Sequence, residues 1–422
     1  MKKNSLILLS LSFCVCFYSC KNNVDNANVD NASFSIRNID IKNAKMLMVL
    51  PASSVTANRS AVQNDTFCKL LENGTVKKVE ATDEDGNEHS IIPKNIFDAG
   101  DYIIMTLNTS PSVLLVSKET GDAYDLSSIG APCEMRSDAH FNGLYRKSVY
   151  TDSNKNIYYV NGTVKKINVS DINNITVESI TPETYYIGEC DEFCVDKFGN
   201  VLFSKETDFV KSDFIRTLNG SLNLITVESS GDSFSSFTGY DGYIYYRYVD
   251  YEGESDQNYY RVNISPDYTI NKSLYGKTGY DSSWSSQGYL WIYLNKKIIV
   301  FERKQSNYEQ IIYDEETGAP SSITYDFLKN SAFIKASSSY YYVATTDGKV
   351  YKINPSTHES SLITSGQFDI LNMSVTSDDM IVINGLRYSD GKKILITIDT
   401  SGEITVVAEN LNNTVTILEK IN

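Results

Sequence analysis

From Phe34 onward, short apolar segments alternate with polar turn residues along the chain. Residues 151–159, 195–203 and 238–246 each contain a short strand, a turn of Asp, Asn, Ser or Gly, and an aromatic or aliphatic run. Asn161-Gly162 and Asp347-Gly348 suit two-residue hairpins, because both central residues of such turns need positive φ. The 3.6-residue period of an amphipathic helix is absent from these segments. The pattern therefore predicts an all-β chain.

The same unit recurs along the chain. Its second, apolar strand is predicted to begin every 40–56 residues, with a mean of about 48, close to the roughly 40–50 residues of a four-stranded propeller blade. The two longest intervals contain candidate insertions at residues 53–65 and 131–143. The predicted strand starts are Met46, Tyr102, Ile157, Val201, Tyr243, Tyr289, Tyr340 and Met380.

The segment Val195-Asp196-Lys197-Phe198-Gly199-Asn200-Val201 resembles the repeat of NHL-type and related bacterial β-propellers, in which an Asp and a Gly frame the turn before an apolar strand. We therefore expect a β-propeller of four-stranded blades, eight by the count of strand starts and seven as the alternative. Blades packed around a ring cover one another's apolar faces. Residues 414–418 alternate as a strand does, and we expect them to pair with the first unit and close the ring.

The N-terminus has the pattern of an export signal. Lys2 and Lys3 precede an apolar run from Leu6 to Tyr18, which at 13 residues is too short for a membrane span of about 20 residues. Cys20 follows the small Ser19 at the point where the sequence becomes polar. The layout resembles a bacterial lipoprotein signal, and the resemblance implies that residues 1–19 are removed and that Cys20 carries the acyl chains. An ordinary secretory signal beside a chance Cys is the alternative.

The resemblance to a lipoprotein also implies a location. Residues 20–33 are rich in Asn and Asp and predict a flexible tether, followed by a single propeller domain over 34–422. Asn22 at the second mature position is not the Asp that resembles an inner-membrane retention signal. We therefore expect the chain to be lipid-anchored to the bacterial outer membrane, facing either the periplasm or the cell surface.

The net charge limits the electrostatic partners of the chain, and the cysteine content bears on its disulfides. The formal net charge is −15, and it becomes −17 when residues 1–19 are lost with their two Lys. An acidic surface of this size argues against nucleic acid and anionic lipid as electrostatic partners. Export permits disulfides among the remaining cysteines, but buried free thiols are expected for Cys68, Cys133, Cys190 and Cys194.

Catalytic and metal-binding motifs are weak. His89, His140 and His358 lie in separate units without metal-ligand spacing, and Gly231-Asp232-Ser233 lacks the strand-to-helix setting that a GDS-type hydrolase needs. Acidic clusters at 83–87, 189–192, 250–256 and 314–316 have the oxygen ligands that calcium prefers, but solvated hairpin tips explain all four and are the preferred interpretation. The sequence predicts no metal site and no cofactor.

Aromatic residues are concentrated between Tyr240 and Tyr293. Most are predicted to pack between blades. Tyr251, Tyr280 and Trp284 lie at loop or first-strand positions, where an aromatic ring could stack on a sugar or a peptide. They are the candidate ligand-binding residues.

Two functions follow from these observations. The first is a non-catalytic binding or scaffold module for a glycan, a peptide or an envelope partner. The alternative is a propeller-fold carbohydrate-active enzyme, a lyase or glycosidase, using carboxylates such as Asp152, Asp196 or Asp241 in the channel.

Overall fold

The computed structural model describes most of the chain after the N-terminal segment. It describes residues 35–52, 65–132, 148–181, 193–207, 210–217, 220–228, 233–238, 243–249, 256–264, 270–279, 290–294, 297–304, 307–314 and 320–421. These residues belong to one compact unit, Phe34–Asn422.

Strands dominate the described residues, and two short 3₁₀ helices, Ser127–Ile129 and Asp326–Asn330, accompany them. In chain order the strands are β1 Ile36–Ile39, β2 Met46–Leu50, β3 Thr66–Leu70, β4 Val76–Lys78, β5 Ala81–Asp83, β6 Glu88–His89, β7 Pro93–Ala99, β8 Tyr102–Leu107, β9 Val113–Ser117, β10 Ala123–Asp125, β11 Val149–Thr151, β12 Ile157–Asn161, β13 Thr163–Asn168, β14 Thr176–Ser179, β15 Phe193–Val195, β16 Val201–Thr207, β17 Val210–Arg216, β18 Leu222–Glu228, β19 Ser233–Thr238, β20 Ile244–Val249, β21 Asp256–Ile264, β22 Ile270–Gly279, β23 Leu290–Leu294, β24 Lys297–Lys304, β25 Asn307–Asp314, β26 Pro320–Ile323, β27 Ser331–Ala336, β28 Tyr341–Thr345, β29 Lys349–Ile353, β30 Ser360–Ser365, β31 Phe368–Val375, β32 Ile381–Arg387, β33 Lys393–Ile398, β34 Ile404–Glu409 and β35 Thr416–Lys420.

In the described part of the chain these strands form eight four-stranded antiparallel sheets, which are the blades of a β-propeller. Blade 1 has the strand order β35-β2-β3-β4. Blades 2 to 8 follow in chain order as β7–β10, β11–β14, β15–β18, β19–β22, β23–β26, β27–β30 and β31–β34. The first strands of consecutive blades contact one another from β27 through β31, β35, β7, β11 and β15 to β19, which places them at the centre of the ring.

The hydrophobic core is divided into layers between neighbouring blades. One layer joins blades 2 and 3 and includes Ile104, Leu115 and Tyr159, and a second joins blades 7 and 8 and includes Ile383 and Ile396. Similar layers join blades 1 and 2, 3 to 5, 6 and 7, and 8 and 1. Full burial of a Leu, Ile or Phe side chain contributes about 1.5–3 kcal/mol, so each layer stabilises the ring by covering two sheets at once.

The C-terminal strand closes the ring, as the sequence predicts. β35 pairs antiparallel with β2 and supplies the first strand of blade 1. The chain end is then fixed on both sides. Lys118 of blade 2 donates to the carbonyl of Ile421 at 2.9 Å, and the amide of Ile421 donates to the carbonyl of Lys45 at 3.1 Å.

The predicted strand starts are correct within one residue in seven blades, and the count of eight blades is confirmed. The start at Tyr289 is wrong. The strand Leu290–Leu294 is the first strand of blade 6, and the second strand begins at Lys297. The apolar run Leu290-Trp291-Ile292-Tyr293 has the composition that second strands have elsewhere, and composition alone does not give a strand its place in the sheet.

A small additional sheet was not expected. β1, β5 and β6 form a three-stranded sheet beside blades 1 and 2, and Ile36, Ile39 and Ala81 belong to the core layer between those blades. The β5–β6 hairpin lies between β4 and β7 in the chain and accounts for part of the long spacing between the first two blades. The predicted insertions at 53–65 and 131–143 lie almost entirely outside the described residues, as do the signal segment, Cys20 and the tether.

Candidate functional site

The candidate ligand-binding residues Tyr251, Tyr280 and Trp284 lie outside the described residues, as does Asp241. Asp152 and Asp196 are described, and both lie in turns that connect the first and second strands of a blade. We call the side of the ring that carries these turns the turn face. It comprises the turns 151–156, 195–200, 337–340 and 376–380 of blades 3, 4, 7 and 8.

The aspartates of blades 3 and 4 hold their turns together. Oδ1 of Asp152 accepts the amides of Asn154 at 2.8 Å and Asn156 at 3.0 Å. Oδ1 of Asp196 likewise accepts the amides of Phe198 and Asn200, at 2.9 and 2.8 Å. This arrangement explains the Asp-x-x-x-Asn spacing in the sequence, because side-chain acceptors satisfy amides that the tight turn leaves without a strand partner.

Neither aspartate faces solvent. Asp152 is 7% exposed and Asp196 is 2% exposed. Burial raises the pKa of Asp196, although hydrogen bonds from Asn200 and Phe198 oppose the shift. The second oxygen of each carboxylate accepts the side-chain amide of Asn156 or Asn200, at 2.7 Å in both cases. These carboxylates therefore stabilise the turns.

The turns of neighbouring blades are joined by hydrogen bonds. The amide of Ser153 donates to the carbonyl of Lys197 at 2.9 Å, and the equivalent bond between blades 7 and 8 runs from Ser338 to Ser377 at 3.2 Å. Lys155 forms an ion pair with Asp101 of blade 2 at 2.6 Å. These contacts connect the turns of blades 2, 3 and 4 with one another, and those of blades 7 and 8 with each other.

A buried tyrosine lies beneath the turns at both places, with different partners. In blade 3 the hydroxyl of Tyr158 donates to Oδ2 of Asp152 at 2.9 Å. In blade 7 the corresponding Tyr342 is 1% exposed, and its turn carries Ser337 where blade 3 has Asp152. Burial, reinforced by the neighbouring carboxylate of Asp379, raises the pKa of Tyr342. The carboxylate beside Tyr158 therefore comes from the same blade, and the carboxylate beside Tyr342 comes from the next blade.

The carboxylate of Asp379 is neutralised from the side of blade 7. Lys352 Nζ lies 3.3 Å from Oδ2 of Asp379 and 3.7 Å from the centre of the Tyr340 ring. Lys45 of blade 1 lies 3.4 Å from Asp378. Within the described residues, the buried Tyr342 hydroxyl and Oδ1 of Asp379 make no hydrogen bond of acceptable geometry. The sequence analysis did not single out Tyr342, Lys352 and Asp379 as a group. A signal was present, because Asp379 occupies the turn position that Gly199 has in blade 4.

A solvent-exposed aromatic group lies on the turn face between blades 4 and 5. Phe198 is 42% exposed and meets the Tyr243 ring edge to face, with the ring centres 6.0 Å apart. Lys197 Nζ lies 4.4 Å from the centre of the Tyr243 ring and 5.2 Å from that of Phe198. We call Lys197, Phe198 and Tyr243 the aromatic patch. It offers apolar ring surface and a cation to a ligand.

The other sequence candidates have structural roles where they are described. Asp83 accepts the amides of Asp85 and Asn87 at the tip of the β5–β6 hairpin, and His89 Nε2 lies 2.8 Å from its Oδ2. The hydrogen bond with His89 is the main cause that lowers the pKa of Asp83. The described residues contain no group of three or more His, Cys, Asp or Glu side chains arranged to hold a metal ion.

The described part of the chain contains no helix that could serve as a membrane span. Cys68 is a buried free thiol, as predicted, and Cys194 is also buried. Cys133 and Cys190 lie outside the described residues.

No protein-family model and no curated protein matches the chain. Among solved structures it is similar to a eukaryotic initiation factor, with 10% identity over 88% of this chain and 85% of that one and a TM-score of 0.47. It is also similar to an oligogalacturonate lyase from Vibrio parahaemolyticus, with 10% identity over 84% of this chain and 99% of that one and a TM-score of 0.45. A puromycin hydrolase gives 11% identity over 87% of this chain and a TM-score of 0.41, and the match spans 62% of the hydrolase. At such identities none of these proteins assigns an activity to the chain.

Proposed function

We propose that this chain is a lipoprotein of the bacterial outer membrane whose propeller binds a glycan, a peptide or a protein of the cell envelope without catalysing a reaction. The anchor is Cys20, and the binding surface is the turn face. Cys20 and its signal context support the anchor. The aromatic patch supports the binding surface.

One observation carries the preference for binding over catalysis. A glycosidase needs two carboxylates about 5–10 Å apart that both face the substrate. Asp152 and Asp196 come from neighbouring blades, but both are buried and accept hydrogen bonds from their own turns. Removing either carboxylate from its turn would leave amides without acceptors, at a cost of about 1–3 kcal/mol for each buried donor.

The aromatic patch suits recognition. A ligand that covers the exposed Phe198 ring gains about 25 cal/mol of binding free energy for each Å² of apolar surface removed from water. Lys197 places a positive charge beside the rings, which would favour a ligand that carries an acidic group. A sugar acid or an acidic peptide would satisfy both features.

The binding proposal is tested with the full-length protein in detergent. A panel of envelope glycans and peptides is screened by thermal shift, and the best ligand is then measured against Phe198→Ala. We expect this variant to lose the shift, while Leu222→Ala, which removes a 38% exposed side chain from the outermost strand of the same blade, keeps it. Equal ligand-induced thermal shifts in both variants would show that the aromatic patch is not the binding site. Ligand cleavage or double-bond formation during the screen would favour the enzyme.

The predicted aromatic residues Tyr280 and Trp284 are tested in the same screen. Tyr280→Ala and Trp284→Ala should weaken glycan binding if these rings stack on a sugar. Binding at the wild-type level on a glycan array would remove both residues from the proposed site, and Tyr251→Ala serves as the third member of the series.

The anchor is tested separately. Wild-type protein expressed in a Gram-negative host should be recovered in the outer-membrane fraction, and intact mass spectrometry should find acyl chains on Cys20. Cys20→Ala should appear in the soluble fraction, because two or more acyl chains are needed for stable attachment. A wild-type protein with an unmodified mature N-terminus would refute the anchor and leave the binding proposal intact.

A further inference from the structure

The outermost strand of blade 8 has an open edge. β34 is last in the order β31-β32-β33-β34, and among the described strands it pairs with β33 alone. Every second residue of an edge strand turns its N–H and C=O away from the sheet. Ile404, Thr405 and Val406 are all exposed along this edge.

The exposed apolar residues on this strand continue a core layer to the surface. Ile404 lies opposite Ile398 in the sheet, and Val406 lies opposite Ile396. Both partners are buried between blades 7 and 8. Residues directly opposite each other in an antiparallel pair share one face of the sheet. Ile404, 36% exposed, and Val406, 45% exposed, therefore form the uncovered outer margin of that layer.

Among the other outermost strands whose side chains are described, β4 and β14 carry exposed charges, and β30 exposes one large apolar residue, Leu362, where β34 exposes two on one face. β4 carries exposed Lys77 and Lys78, and β14 carries exposed Glu178. Charged side chains of this kind are a common defence of sheet edges, because a pairing strand would have to accommodate them. At blade 2 the chain itself supplies an additional strand. The amide of Ile39 in β1 donates to the carbonyl of Gly121 at 2.8 Å, beside β10.

Charge distinguishes between the strands that could occupy the edge. Glu403 and Glu409 flank the apolar residues of β34, and Glu409 accepts a hydrogen bond from Arg387 at 2.9 Å. A second copy of this chain, paired antiparallel about Val406, would place Glu403 opposite Glu409. Like charges directly opposite each other destabilise a strand pair. The net charge of −15 also favours a basic partner.

We propose that the open edge of β34 binds an extended segment of another protein, one with alternating branched apolar residues flanked by Lys or Arg. The segment would add a fifth strand to blade 8. Its backbone would complete the ladder, and its apolar side chains would cover Ile404 and Val406. This surface is separate from the turn face, so the inference does not depend on the function proposed above.

The test uses a fluorescein-labelled peptide of sequence KVTVTVK and the full-length protein in detergent, with fluorescence anisotropy as the readout. Two control peptides accompany it: EVTVTVE reverses the flanking charge, and KVTPTVK removes a central amide that a paired strand would donate. We expect KVTVTVK to bind most tightly and both controls to bind at least about tenfold more weakly, a difference of about 1.4 kcal/mol.

The protein variants locate the binding edge. Val406→Lys should weaken KVTVTVK binding by about tenfold or more, because a cation then faces a basic peptide across the edge. Leu362→Lys is the matched control, since Leu362 is 49% exposed on β30, the outermost strand of blade 7. Both changes lie at exposed positions, and thermal unfolding checks that both variants fold.

Three outcomes would overturn the proposal. The first is equal binding of KVTVTVK and its two controls, or no binding of any of them. The second is wild-type binding by Val406→Lys. The third is a dimer in analytical ultracentrifugation that Val406→Lys abolishes, which would assign the edge to a second copy of the chain.

Discussion

Gly199 of blade 4 lies directly against Tyr158 of blade 3. A Cβ added to Gly199 would be 2.5 Å from the Tyr158 hydroxyl and 3.1 Å from Oδ2 of Asp152. The backbone of Gly199 also has φ +87°, a conformation that residues other than Gly rarely adopt. The close approach of two blades therefore depends on the absence of one side chain.

Gly199→Ala should destabilise the protein by about 2–4 kcal/mol, because it combines backbone strain with overpacking. Gly402→Ala is the matched control. Gly402 has φ +85°, but no atom lies within 4 Å of the position that its Cβ would take, so this change introduces the strain alone. That strain should cost about 1 kcal/mol. Chemical denaturation compares the two variants, and equal losses of unfolding free energy would contradict the packing argument.

Tyr158 and Tyr342 provide a second matched pair. Tyr158→Phe removes a buried hydrogen bond to Asp152 and should cost about 1–2 kcal/mol. Tyr342→Phe removes a buried hydroxyl that makes no well-formed hydrogen bond within the described residues. It should leave stability unchanged or raise it slightly. Thermal unfolding distinguishes the two, and a larger loss for Tyr342→Phe would show that its hydroxyl has a partner in solution.

The closing strand is tested by truncation. Removal of residues 412–422 deletes β35 and the buried side chains of Val415 and Ile421. We expect the melting temperature to fall by about 10 °C or more, since each such side chain contributes about 1.5–3 kcal/mol. Removal of residues 21–33 is the control and should leave the melting temperature unchanged. A truncated chain that melts as the full-length protein does would refute closure by β35.

Cys68 gives the protein a pH dependence in the alkaline range. Burial raises the pKa of the Cys68 thiol from 9.0 to about 11. The folded state therefore holds this proton more tightly than the unfolded chain. The resulting stabilisation is fully present below pH 9, and it is lost as the pH rises towards 11.

Unfolding free energies measured at several pH values check this expectation. The wild-type protein should lose more stability between pH 9 and about 11 than Cys68→Ala, which has no thiol to titrate. Lys and Tyr residues titrate in both proteins, so only the difference between them is informative. Identical pH profiles would show that the thiol ionises equally in the folded and unfolded chains.

The local features of the fold were readable from the sequence. The Asp-x-x-x-Asn turns at Asp152 and Asp196 are recognisable because their hydrogen bonds join residues only two and four positions apart. The apolar second strands follow these turns directly, and their starts were predictable for the same reason. The closing strand was readable from the alternation of apolar and polar residues at 414–418, and its pairing with β2 confirms it.

The contacts between blades were not readable in this way. The approach of Gly199 to Tyr158 and the pairing of Lys352 with Asp379 depend on the spacing of two sheets around the ring. No periodicity within one strand encodes that spacing. The pairing of β1 with β5 was missed because these residues are far apart in the chain and joined through a sheet outside the repeat.

The pairing of β35 with β2 also dictates when folding can finish. The innermost strand of the first blade follows every other described strand in the chain, so until Thr416–Lys420 has been synthesised the side of Met46–Leu50 away from β3 has no strand beside it. Such an edge is a template for association with other chains. The ring therefore closes only after β35 has been synthesised, and a chaperone that holds the nascent chain extended would protect that edge until then.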